Sequence, residues 1–507
     1  MSDNNSNVFA HFYQQFSQRL DRVALTTDEG HSMTFADLDR ESARLSAYLQ
    51  SLGCEGGARV SVQVEKSPQA LCLYLACLRA GLVFHPLNTG YKASELSYFL
   101  SNAEPSVVVC DSSDLEMMQS LCAENNVPHL LTLNGDGSGS LSEQAAGCEP
   151  DYSIAHKEAD ELASLLYSSG TTGVPKGIML SHGNLLSNGQ SLVQFWGFSD
   201  RDVLLHALPI FHVHGLFVAL SCVFLSGASM RWLKGFDLQQ ALAELPHSTV
   251  MMGVPTYYTR LLSSAEFGAD HCQNMRLFIS GSAPLLEETF YDFEARTGQR
   301  ILERYGMTET GMNTSNPLDG VRKAGTVGPA LPGVEVRVVD EAGNILDQGE
   351  IGNLQVRGAN VFKGYWKMPE KTAEDFTADG FFNTGDKASI DADNYVAIVG
   401  RAKDMVITGG LNVYPKEIEL IIDELPGVKE SAVIGVAHPD FGEGVVAVVV
   451  AKPGETPQEA DIIAALKEQI SGFKVPKRVI LRAELPRNTM GKVQKNVLRE
   501  ENKALFA

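Results

Sequence analysis

The sequence has no paired cysteines, no long apolar run and no surplus of positive charge, and each absence removes a class of protein. Its eight cysteines (Cys54, Cys72, Cys77, Cys110, Cys122, Cys148, Cys222 and Cys272) are scattered, with no CxxC pair. Several stand in apolar runs such as LCLYLACL and VVVC, the surroundings of reduced, buried thiols rather than of a disulfide framework. No segment reaches the roughly 18 uninterrupted apolar residues that a membrane helix needs. The opening MSDNNSNVF is polar and acidic, unlike a secretory or transit leader. Basic residues are few: 41 Lys and Arg face 62 Asp and Glu, a net charge of −21. Such an excess argues against nucleic acid and anionic membrane as partners. The expectation is a cytoplasmic protein acting on small molecules, monomeric or homodimeric. Any anionic ligand must then be held by a few well-placed cations and backbone N–H groups.

What is present is an ordinary globular composition, 44% hydrophobic and 20% charged over 507 residues. That length exceeds one core, since single cores stop growing near roughly 250–300 residues. Over residues 1–130, ADLDRESARLSAYLQSLG and ALCLYLACLRAG read as helices and ARVSVQV and PSVVVCD as strands, the alternation of α/β units on a largely parallel sheet. NGDGSGSLSE (134–143) reads as a surface connection. The α/β pattern resumes through LASLLYSSG, VLLHALP and STVMMGV. Residues 330–400 change to short alternating strands, VEVRVVD, GNLQVRG and YVAIVGR, typical of an antiparallel sheet. After Ala402 comes a mixed pattern of helices and strands. A boundary there separates residues 1–402 from a small α+β domain, residues 403–507.

Four segments carry chemistry. In YSSGTTGVPKG (167–177) small residues let backbone N–H groups approach a polyanion, hydroxyls add donors, and Lys176 adds charge. Lys176 is followed by Gly177, where a Walker A loop needs Ser or Thr for Mg²⁺, which argues against a P-loop kinase or NTPase. A Ser/Thr/Gly run alone is often a linker, but this one lies between the apolar strands LASLLY and GIML. In LERYGMTETGMN (302–313), Glu309 suits Mg²⁺ on a nucleotide, Thr308 a phosphate oxygen and Tyr305 a flat base; taken singly, this stretch reads as a surface turn. In FFNTGDKASID (381–391), Asp386 just after a strand suits a ribose diol, with Arg401 to reinforce it. In PRNTMGKVQK (486–495), Lys492 stands in a turn-rich segment where a solvated surface lysine is the common case.

The order and wording of these four segments resemble the superfamily of acyl- and aryl-CoA synthetases, adenylation domains and firefly luciferase, over essentially the whole chain. The resemblance implies a mixed α/β fold: two αβ sheets plus a distorted β-barrel subdomain, capped by a mobile α+β C-terminal domain. It implies ATP, Mg²⁺ and CoA as ligands. Ser168, Ser169, Gly170, Thr171, Thr172, Gly173 and Lys176 would hold the pyrophosphate of ATP, with Thr171 and Glu309 toward the metal. Gly281, Ser282, Ala283, Glu303 and Tyr305 would flank the adenine, Thr308 the α-phosphate, and Asp386 and Arg401 the ribose. Lys492 would orient the acid and the α-phosphate, Lys403 would be the hinge, and Gly409 and Gly410 would face the CoA tunnel.

The acyl-pocket segments LPIFHVHGLF, MMGVPTYYTRLL and FISGSAPL resemble in particular the malonyl-CoA synthetase branch of that superfamily. By that likeness Arg260 and Ser282 would grip the distal carboxylate, Met307 and Val213 would shape room for a methyl branch, and His212 would stand between acyl and pantetheine sites. Arg is the natural bidentate partner of a carboxylate, although most helix arginines point to solvent. Val213 stands where that branch often carries Thr. His212 and His214 also form an HxH pair, with no further zinc ligand at a usual spacing. The rival acids are acetate, methylmalonate and succinate; the rival acceptor is a carrier protein.

Overall fold

The computed structural model describes residues 5–167, 175–408, 411–470, 472–488 and 491–506, the side chain of Asn412 excepted. Residues 168–174 and Gly409–Gly410 fall outside it, so the assignments made to Ser168, Ser169, Gly170, Thr171, Thr172, Gly173, Gly409 and Gly410 lie outside the described residues.

The first sheet has six strands in the order His129–Thr132, Val107–Cys110, Arg59–Gln63, Val83–Pro86, Leu162–Tyr167 and Gly177–Ser181. All its pairings are parallel except the last, where Gly177–Ser181 turns back along Leu162–Tyr167. The fully buried runs Val107–Cys110 and Val83–Pro86 have the continuous apolar character that parallel strands covered on both faces require. The helix Phe35–Ser51 starts with a capping box, Thr34 and Asp37 each serving the other's backbone, and the chain turns at Gly53 with φ +81°. The Gly/Ser-rich stretch 134–143 is not all loop: Ser140–Ala145 forms a short helix, with Ser140 and Thr132 exchanging hydrogen bonds at its start.

The second sheet has eight strands, ordered Gly311–Ser315, Ile301–Met307, Leu277–Ser280, Val250–Gly253, Val203–His206, Ser229–Trp232, Val23–Thr27 and Ser32–Thr34. Its interior is parallel, and antiparallel pairs close both edges. The carboxyl ends of its parallel strands open onto one edge, where ligands of open α/β sheets gather. Between the sheets lies an aromatic seam in which Phe12 and Phe16 each pack 5.3 Å from Phe224.

The barrel-like part is a four-stranded antiparallel meander, Val334–Val339, Gly352–Gly358, Phe382–Ile390 and Val396–Arg401. A 3₁₀ turn, Ala402–Asp404, leads into the last unit. Its sheet joins Val406–Thr408, Leu411–Val413, Val428–His438, Gly442–Ala451 and Arg478–Arg482. Val406, Ile418, Ile422, Val433, Val445 and Leu466 form a core of its own, as an independent domain needs. Among the described residues no helix is long and apolar enough to cross a membrane.

Candidate active site

The segment 302–313, read as a surface turn when taken alone, is a hairpin: Ile301–Met307 pairs antiparallel with Gly311–Ser315, leaving Thr308, Glu309 and Thr310 at its bend. The bend is not on the surface, for Glu309 is buried, and the N–H of Phe362, in the connection after the meander strand Gly352–Gly358, bonds the Glu309 carbonyl at 2.7 Å. Burial raises the Glu309 pKa, opposed by Arg401 and Lys176. One buried carboxylate facing cations that phosphates would engage is the donor set expected for Mg²⁺ carried on a nucleotide, which takes one or two carboxylates plus phosphate oxygens. Lys176 lies 4.3 Å over the Tyr365 ring and 3.8 Å from Asp375.

Asp386 corrects an expectation: it does not follow a strand but sits inside Phe382–Ile390, beside a register shift between Lys387 and Ala388. The strand is hard to read because Gly385, at φ +72°, breaks its alternation. Arg401 pairs directly across the ladder from Asp386, Nε to Oδ1 at 2.8 Å, and the Tyr305 hydroxyl donates to the other carboxylate oxygen. Asp386 is raised by burial and restrained by Arg401 and Tyr305. Three strands, one of them in a different sheet from the other two, thus present a hydroxyl, a carboxylate and a guanidinium at one point, as a ribose requires.

Lys492 comes from the opposite side. Gly491, just before it, faces the first turn of the helix Pro255–Ser263: a Cβ there would stand 3.9 Å from the Thr256 hydroxyl. Solvent reaches the Lys492 side chain along the cleft, but the cleft walls desolvate its ammonium and Arg401 repels it. Asp386 and Glu309 offset this in part, so its pKa falls from 10.5 to about 8. Lys403, the expected hinge, lies in the Ala402–Asp404 turn with its pKa lowered by burial and by Arg401.

The acyl side is built on the segment after Val203–His206. His214–Ala219 is a π-helical turn, missed in the sequence and frequent at functional sites. It is held tightly: His206 Nε2 bonds the Gly215 carbonyl at 2.9 Å, and a Cβ at Gly215 would meet the Pro209 carbonyl at 2.1 Å. Burial drives the His212 pKa down to about 3, with Lys492 and Arg304 adding, and burial with Arg304 holds His214 well below the usual imidazole range. Both rings are neutral at pH 7. His214 Nδ1 lies 3.3 Å from the Ser282 hydroxyl. Ser282, between Gly281 and Ala283 at the end of Leu277–Ser280, holds φ +70°, a left-handed strain that non-glycine residues keep mainly at working sites. Val213 and Thr308 line a void of about 10 Å³. Met307 does not line it; its sulfur lies 3.9 Å from the Tyr305 hydroxyl, on the ribose side.

The two arginines divide differently from the sequence expectation. Arg260 is exposed on the last turn of Pro255–Ser263 and forms no ion pair among the described residues. Arg304, which sequence reasoning passed over, is 3% exposed, and its Nε and Nη2 have no hydrogen-bond partner among the described residues. Burial lowers its pKa to about 10, which leaves it charged at neutral pH. It lies under Gly281, where a Cβ would meet its Nη1 at 2.4 Å. The one sequence signal was strand alternation, which puts Arg304 on the face opposite Glu303 and Tyr305. Glu303 is buried too, its pKa raised to about 8 although the Gly325 and Leu285 N–H groups bond it. Of the eight thiols seven are buried, Cys148 is half-buried and all are free. Burial pushes Cys110 and Cys272 up to about 12, so these are poor nucleophiles.

Fold and site together define a nucleotide-dependent enzyme of the acid-activating ligase class. Residues 12–366 match the AMP-binding enzyme family and residues 417–492 match the AMP-binding enzyme C-terminal domain. The chain belongs to the AMP-binding enzyme family. It is 32% identical to a malonate–CoA ligase of Arabidopsis thaliana over 97% of this chain and 88% of that protein. It superposes on ATP-bound MatB from Rhodopseudomonas palustris with a TM-score of 0.97 and 52% identity, covering 99% of this chain and 100% of the other. Against apo MatB from the same organism the identity and coverage are unchanged but the TM-score is 0.86. At equal identity, this chain superposes better on the ATP-bound structure than on the apo one.

Proposed function

We propose that this chain joins malonate to CoA at the expense of ATP, in the cytoplasm, through a malonyl-adenylate. A carboxylate is a poor electrophile because its leaving group would be oxide. Attack of one malonate oxygen on the α-phosphorus forms an acyl–phosphate bond and expels pyrophosphate. Lys492 neutralises charge on the acid and α-phosphate during this step, with Thr308 beside it. Lys176, the loop before it and Glu309 hold the polyphosphate; bound Mg²⁺ supplies charge neutralisation there. Asp386, Arg401 and Tyr305 hold the ribose. In the second half the CoA thiol attacks the acyl carbon, a C–S bond replaces the C–O bond to AMP, and AMP and a proton leave. We divide the chain at 402/403, with Lys403 as the hinge that withdraws Lys492 and brings Gly409 and Gly410 to the thiol's path. His212, neutral at the mouth, orients groups rather than titrating. The same site accepts methylmalonate only as far as Val213 leaves room.

The observation that carries the choice of acid is Arg304. A buried cation with open donor positions costs several kcal/mol unless an anion meets it, and malonate's second carboxylate is such an anion. Arg260 at the rim then draws the dianion in rather than clamping it, the second reading its exposure favours. The test is acid-dependent release of AMP and formation of thioester across acetate, malonate, methylmalonate and succinate. Malonate gives the highest kcat/KM; a preference for acetate overturns the assignment.

The pH profile follows from Lys492. Its ammonium is the working form, so kcat/KM for ATP declines as pH rises through about 8, tenfold per unit beyond it. The limb of kcat lies at higher pH, because bound phosphates favour the ammonium. Lys492→Arg, charged throughout, flattens the limb; a limb unchanged in that variant belongs to another group.

A further inference from the structure

Lys492 has to cross from one unit of the chain to the other, yet it sits on a turn of the kind that ordinarily moves freely. Its base is apolar: Leu485 and Val493 pack against Ala432, Val448 and Leu498. Its upper part is held otherwise. The Lys492 N–H bonds Asn488 Oδ1 at 2.9 Å, and the Asn488 N–H returns to the Lys492 carbonyl at 2.9 Å. Across the hairpin, Arg487 forms an antiparallel bridge with Val493. One arm of its guanidinium, Nη1, donates to the Gly491 carbonyl at 2.6 Å, in the peptide just before Lys492. The other, Nη2, is ion-paired with Glu430 on Val428–His438, the long strand of this unit's sheet. A single planar group therefore ties the peptide that carries Lys492 to the rigid sheet behind it. Lysine could not do this, having one point charge where two separate acceptors must be met in a plane.

We propose that Arg487, braced by Glu430, is a positioning residue that sets the reach of Lys492 into the Asp386–Glu309 cleft and so acts on adenylate formation alone. This rests on the role given above to Lys492. The pair is partly exposed, with side-chain exposures of 30% and 22%, so its loss leaves the core intact. A misplacement of the order of 1 Å in a reacting group costs up to about a hundredfold in rate.

The two half-reactions separate the effect from a folding defect. In Arg487→Met, malonate-dependent pyrophosphate release falls by about 10- to 100-fold, while conversion of added malonyl-adenylate and CoA to thioester stays within about twofold of the parent. Arg487→Lys recovers only part of the loss. Glu430→Gln loses less than Arg487→Met, and the double variant is no worse than Arg487→Met, since both act through one contact. Equal loss in both halves, or unaltered pyrophosphate release in Arg487→Met beside a dead Lys492→Ala, overturns the positioning role and leaves the Lys492 reading standing. Unaltered pyrophosphate release in Lys492→Ala overturns both.

Discussion

Lys492→Ala abolishes malonyl-adenylate formation and spares the thioester half. The expected loss in pyrophosphate release is at least about 10²–10³-fold, the scale on which one charge-stabilising donor acts in a transition state. The reason lies in where negative charge concentrates: malonate and the α-phosphate meet in the first half only, and in the proposed mechanism Lys492 is the cation brought to that point from the C-terminal unit. Asp386 and Glu309 raise its pKa against the lowering by burial and Arg401, so its charge is balanced within the cleft rather than spent on one partner. Thioester formation from supplied adenylate then proceeds at the parent rate, measured by thiol consumption. Loss of both halves breaks the account in which the C-terminal unit turns about Lys403.

Arg304→Met separates dicarboxylic from monocarboxylic acids. Removing one partner of a buried charge pair costs about 2–5 kcal/mol, so kcat/KM for malonate falls by roughly 30-fold to several thousandfold. Activity with acetate is little changed or rises, since the variant no longer keeps a charged group buried without an anion. Methionine has the length and apolar stem to fill the site under Gly281, where Arg304 packs so closely that a Cβ has no room. Arg260→Met, at the exposed end of Pro255–Ser263, raises the KM for malonate by a factor below about ten, as rim charges act mainly on encounter. A larger loss for Arg260→Met than for Arg304→Met returns the clamp to Arg260; equal losses for malonate and acetate in both variants remove it from either.

The meeting of the residues assigned to the nucleotide was legible because they stand close in the chain or on adjacent strands. Tyr305, Thr308 and Glu309 are neighbours on one bend, and Asp386 and Arg401 need only a single ladder between adjacent strands to meet. The acyl side was less legible. Its walls come from segments whose side chains point by alternation, by helix phase or by a π turn, and small errors of phase exchange a buried residue for an exposed one. Arg260 lies on a helix whose buried residues are Tyr258 and Leu261, so the position between them turns outward. Met307 shares the face of Tyr305 and is carried to the ribose side.

By itself the sequence determined the α/β alternation, the change to an antiparallel meander, the separate last unit and the family of chemistry. The first three depend on local periodicity and turn residues, and the family on the resemblance carried by four short motifs in order along the chain. Only the tertiary structure decided which arginine is buried with open donors among the described residues, that Asp386 lies within a strand, and that Lys492 stands under repulsion from Arg401. Those outcomes are set by desolvation and by contacts between residues far apart in the chain, and neither quantity is carried by any one stretch of it.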